Sequence, residues 1–131
     1  MKEENHMKRF FIVLLSLTVV CLLATGSFAA DKDAIKKNVD GIVAGIDGGK
    51  DAKSYNANDF DPYAFIMEKD GMLVVHPSLA GSSLKEKAPP AYEAVIKSTP
   101  AGTWVQYEWK GKMKNSYVKT TKSGLIVGSG Y

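Results

Sequence analysis

The chain has one cysteine, Cys21, and two histidines, His6 and His76. Cys21 sits in an apolar run near the N-terminus, so disulfides, thiol catalysis and cysteine metal sites are excluded from the remainder. The single histidine left there cannot hold zinc without carboxylate help, and no paired-histidine or H-E-x-x-H spacing occurs. Asp59, Asp61, Glu68 and Asp70 lack the spacing of a calcium loop, and Asp61-Pro62 and Asp70-Gly71 read as turn chemistry. A clustered basic face is missing too. The 17 Lys and Arg alternate with 14 Asp and Glu for a net charge of +3, which is no nucleic-acid footprint. No activated nucleophile is legible beside His76, so neither an enzyme nor a cofactor is expected. Repeats and low-complexity tracts are absent.

What is present begins with an export signal. Lys2, Lys8 and Arg9 precede an apolar run over residues 10–23, interrupted only by Ser16 and Thr18, and small residues follow to Ala30. These are the three parts of a secretory signal peptide, placed at residues 1–29. The run falls short of the roughly 18 to 20 residues a spanning helix needs, which makes an uncleaved anchor the lesser reading. Cleavage after Ala29 puts Ser27 and Ala29 in the two small-residue positions. Val20 before Cys21 does not suit lipoprotein processing, so Cys21 leaves with the signal. Met7 serves as well as Met1 for a start. Residues 30–131 are then expected to form one small exported domain, periplasmic or secreted, of a bacterial envelope.

Within that domain, residues 31–46 read as an amphipathic helix carrying Ile35, Val39, Ile42, Val43 and Ile46 on one stripe. Gly41 and Gly45 weaken it and Asp47-Gly48-Gly49 ends it. Residues 50–62 are polar and read as a loop with at most a helical turn. From Tyr63 the period changes to that of strands. Residues 63–68 and 72–76 flank Asp70-Gly71 as a hairpin. A loop over 77–90 follows, holding Pro89-Pro90, then a short helix over 91–98 and three strands at 103–109, 113–120 and 125–131. The fold class is α+β: a five-stranded antiparallel sheet with an N-terminal helix and a short helix between strands 2 and 3.

These pieces, in their order and spacing, resemble the single-Cache domain, the PAS-like extracellular sensory module of chemoreceptors and sensor kinases. The matching residues are Tyr63-Ala64-Phe65 leading to Asp70-Gly71, then His76-Pro77 with Gly81. They continue through residues 102–109, Lys114-Asn115-Ser116-Tyr117-Val118, and residues 127–131. The resemblance implies a domain that binds a small ligand, a short carboxylate or similar metabolite. It also implies a membrane receptor, sensor kinase or transporter as partner. Because the chain stops at Tyr131, a soluble binding protein without its own output domain is expected. The other reading is an accessory protein-interaction subunit that keeps the sheet and has no working pocket.

The ligand-binding residues expected are Tyr63, Phe65, His76, Tyr107, Trp109, Lys114 and Tyr117. His76 either ends its strand bonded to a backbone carbonyl or donates into a pocket, and the sequence leaves both open. Val105, Tyr107 and Trp109 share one strand face, with Trp104, Gln106 and Glu108 on the other. Tyr107, Trp109 and Tyr117 suit a pocket wall or an aromatic sheet core equally, whereas Trp104 reads as core. Lys114 matches the family's lysine, yet strand parity sets it opposite Tyr117 unless a bulge intervenes. Lys110, Lys112, Lys119 and Lys122 read as solvated turn and edge residues.

Overall fold

The computed structural model describes residues 32–131, so the expected export signal at 1–29 lies outside the described residues. Helix α1 covers residues 32–47. Ile35, Val39, Ile42 and Val43 are buried from its apolar stripe. Gly45, costly in a helix interior, has the Tyr55 hydroxyl packed where a Cβ would stand. The expected loop at 50–62 holds two short 3-10 turns, Ala52–Ser54 and Ala57–Asp59. Asp51 and Asn56 cap them, accepting the backbone N–H of Lys53 at 3.0 Å and of Asn58 at 3.1 Å.

Five strands follow: β1 (Ala64–Met67), β2 (Leu73–Val75), β3 (Thr103–Trp109), β4 (Lys112–Thr120) and β5 (Ile126–Gly130). They form one antiparallel sheet in the order β2-β1-β5-β4-β3. The hairpin expected at Asp70-Gly71 joins β1 to β2, where Asp70 accepts the backbone N–H of Met72 at 3.0 Å. This order has a consequence for the site. Strands β2 and β3 stand at opposite edges, so the chain between them must cross a whole face of the sheet.

That crossing carries one more helix than expected. Leu84–Lys87 forms a single turn, α2, capped by Ser83. Helix α3 runs Pro89–Val95. From sequence, Pro89-Pro90 belong to the loop and the helix starts at 91. The prolines instead open α3, because a first-turn residue needs no backbone N–H and proline's φ already suits the helix.

Alternation along the strands divides the interior between the two faces. Ala64, Ile66, Val75, Tyr117 and Val127 pack under α1. Phe65, Met67, Leu73, Tyr107, Val118 and Ile126 pack under α2 and α3. Gly128 lies opposite both Phe65 and Val118, and the Phe65 ring occupies the space a Cβ would take there. Gly128→Ala is therefore expected to destabilise the domain by about 1–3 kcal/mol. The urea midpoint should drop at unchanged slope, and the loss should shrink when Phe65→Leu makes room.

Candidate functional site

The face under α2 and α3 gathers most of the expected ligand residues at one end. Tyr63 leads into β1, His76 follows β2, Trp109 ends β3, and Lys114 lies near the start of β4. In the antiparallel order these positions fall at the same end of the sheet. Tyr63, Phe65, His76, Tyr107 and Trp109, with Leu73, Leu84 and Ala91, line a cavity of about 10 Å³. That holds about one water, far below the roughly 300 Å³ at which small-molecule sites begin.

Lys114 does not line the cavity itself but adjoins it through Tyr63. Its side chain is buried at 8% exposure, and its ammonium donates to the Tyr63 hydroxyl at 2.8 Å. The same nitrogen lies 4.2 Å from the centroid of the Tyr63 ring and 5.8 Å from that of Trp109. No carboxylate among the described residues pairs with it. Burial, then the charge of Lys110, lowers its pKa from 10.5 to about 8, so it stays charged at neutral pH.

His76 faces the cavity in a defined tautomer. Its Nδ1 accepts the backbone N–H of Ser78 at 3.1 Å and of Leu79 at 3.0 Å. The carbonyl bond considered from sequence is therefore replaced by two N–H bonds to the following turn. With Nδ1 occupied as an acceptor, the neutral ring carries its proton on Nε2 and can donate from there. The ring meets Tyr63 edge-on at 5.2 Å and Trp109 at 6.0 Å between centroids. Burial, then Lys114 and Lys110, lowers its pKa from 6.5 to about 4. Tyr107 shares a 2.9 Å hydrogen bond with the buried Ser116 hydroxyl. Burial pushes the Tyr107 phenol up to about 12, against the opposing effect of Ser116, and keeps it protonated.

Tyr117 is not brought to this group. Strand β4 runs without a bulge against β3 and β5, so parity turns Tyr117 to the opposite face from Lys114. There its hydroxyl donates to Asp40 on α1 at 3.4 Å and to the Ala101 carbonyl at 3.3 Å. Asp40 also pairs with Lys119 at 3.2 Å, so this expected solvated lysine is an ion-pair partner. Trp104, expected in the core, is 38% exposed and packs on Tyr117 at 5.5 Å. It lies on β3, at the edge of the sheet. Sequence reasoning missed Ser116 and Leu84, although Ser116 shares the strand parity of Lys114.

No protein-family model and no curated protein matches the chain. Solved structures do resemble it. A methyl-accepting chemotaxis protein from Vibrio parahaemolyticus aligns over 82% of this chain and 91% of its own, with a TM-score of 0.51 and 15% identity. The fold is PAS/Cache-like. The ligand-binding domain of Mlp24 with asparagine aligns over 52% of this chain at 22% identity and a TM-score of 0.40. That of the Pseudomonas fluorescens chemoreceptor CtaA with L-alanine aligns over 52% at 26% identity and a TM-score of 0.37. The match spans only 27% and 31% of those two chains. Among the described residues of this Cache-like chain, no helix is long and apolar enough to cross a membrane.

The lowered His76 pKa sets a pH dependence with a definite sign. Between about pH 4 and 6.5 the unfolded histidine binds a proton that the folded one does not. Stability therefore rises with pH through that window and this contribution levels off above it. Comparing urea midpoints of wild type and His76→Gln at pH 4.5, 5.5 and 7 isolates the effect. The variant should lose part of the slope, and the His76 resonances should titrate near pH 4.

Proposed function

We propose that this chain is an exported sensory domain that binds a short carboxylate and presents the bound state to a membrane receptor, sensor kinase or transporter. The observation that supports it is Lys114, a buried ammonium with phenol and indole neighbours and no counter-ion among the described residues. A buried charge without an opposite charge costs several kcal/mol, so a bound carboxylate recovers what the empty site loses. Lys114 would take one carboxylate oxygen, with the Tyr63 hydroxyl and the Nε2–H of His76 as further donors. Phe65, Leu73 and Ala91 supply apolar walls suited to a short carbon chain. No Asp or Glu lines the cavity, so the ammonium of an amino acid would find no partner there.

One observation favours the second reading, an accessory protein-interaction subunit without a working pocket. The cavity is about 10 Å³, so a carboxylate enters only if a wall moves. Calorimetric titration with acetate, propionate, pyruvate and lactate separates the two. Saturable binding is expected for at least one acid, weaker or absent for alanine and asparagine. Affinity should fall as pH rises through about 8, where Lys114 loses its proton. Lys114→Met should abolish binding while leaving the urea midpoint equal or higher, because no buried charge remains. Absence of binding by all four acids to the wild-type protein would leave the accessory reading in place.

A further inference from the structure

The small cavity has a neighbour. Ser78, Leu79, Lys87, Ala88, Glu108 and Lys110 border an outer cleft of about 340 Å³, within the size range of small-ligand sites. Trp109 lines both the cavity and the cleft. Its indole thus forms a wall between a space for one water and a space for a small molecule.

The indole is also the polar-tipped ring of the group that no hydrogen bond holds. The phenols are tied by hydrogen bonds, Tyr63 to Lys114 and Tyr107 to Ser116. His76 is held through Nδ1 by two backbone N–H groups. Trp109 packs on the apolar cluster and has ring and cation contacts, and its N–H makes no hydrogen bond among the described residues. It is half-buried, it is the last residue of an edge strand, and the turn that follows carries Lys110 at φ 51° and Gly111 at φ 78°. Turning this side chain breaks no hydrogen bond among the described residues; what it gives up is ring contact with His76 and cation contact with Lys114.

Two ammonium groups lie near the same ring, Lys110 bordering the cleft and Lys114 lining neither space while the indole is in place. The Lys114 ammonium is 5.8 Å from the indole centroid and the Lys110 ammonium 6.0 Å. Each is therefore within one short carbon chain of the position the ring now occupies. Lys87 adds a second cation to the cleft, and Glu108 is the one acidic residue bordering it.

We propose that Trp109 is the gate of the site: turned aside, its indole joins cavity and cleft, and the joined site holds a short dicarboxylate with one end at Lys114 and the other at Lys110. This rests on the carboxylate reading above and narrows it, since a monocarboxylate leaves the outer cation unused. The gate also accounts for how a cavity of one water's size admits a ligand.

The test uses the Trp104→Phe background, in which Trp109 is the remaining one of the two tryptophans. Succinate and propionate are titrated by calorimetry, with Trp109 emission and acrylamide quenching followed in parallel. Succinate should bind about fivefold or more tightly than propionate, the order that one partly screened ion pair supplies. Saturation should shift the emission to longer wavelength and raise quenching as the indole leaves its wall. Lys110→Asn, which removes the charge and keeps a residue that tolerates positive φ, should bring the succinate-to-propionate ratio close to one. If neither acid binds, the carboxylate reading fails and the gate fails with it. Binding with unchanged Trp109 emission and quenching overturns the gate alone. A ratio that is near one in the wild type, or unmoved by Lys110→Asn, overturns the outer carboxylate position.

Discussion

An ammonium group taken out of water and set 2.8 Å from a phenol oxygen constrains everything around it on this face of the sheet. Lys114 loses most of its hydration, and what replaces it is one acceptor and two aromatic faces. Its neighbours are arranged accordingly. His76 stays neutral beside two lysines, its Nδ1 fixed by the turn at Ser78 and Leu79. Tyr107 is kept protonated and spends its hydroxyl on Ser116. What the set lacks among the described residues is a negative charge.

Topology brings those groups together. Because β2 and β3 end up at opposite edges, the intervening chain lays α2 and α3 across the face that carries Phe65, Tyr107 and Lys114. The antiparallel order then stacks the start of β1, the end of β2, the end of β3 and the start of β4 at one end. Strand β4 has a double part in this. One of its faces holds Lys114 and Ser116, while the other holds Tyr117 and Lys119 against Asp40 of α1. A shift of β4 at Lys114 is thus a shift of the strand to which α1 is pinned, with no separate linkage between the two faces.

Much of this was legible from residue order. A period of two put Val105, Tyr107 and Trp109 on one face and opposed Lys114 to Tyr117, and the sheet follows both. Resemblance sets Tyr117 with the ligand residues against its own parity, and parity prevails in the sheet. The pairing of Tyr63 with Lys114 was beyond reach, because it joins positions 51 residues apart through a strand order that local patterns do not encode. Pro89-Pro90 misled for another reason: two prolines break a helix from within yet begin one readily. Of the two roles open to His76, the bond to a carbonyl is not made, since a lone imidazole nitrogen accepts from a turn as readily as it donates to a carbonyl.

Two observations pull against each other, and their weights differ. The small cavity argues that the face is simply filled, as a sheet without a ligand would be. Packing alone, however, gives no reason for a charge at position 114. A methionine spans a similar length, fills the space between Tyr63 and Trp109, and has no ammonium to desolvate. A filled interior is compatible with a ligand site when one wall turns without breaking a hydrogen bond, and Trp109 is such a wall. An uncompensated buried cation, by contrast, only lowers the stability of a fold that never meets an anion. The volume describes the resting arrangement of the side chains, while the charge describes what the arrangement is suited to hold.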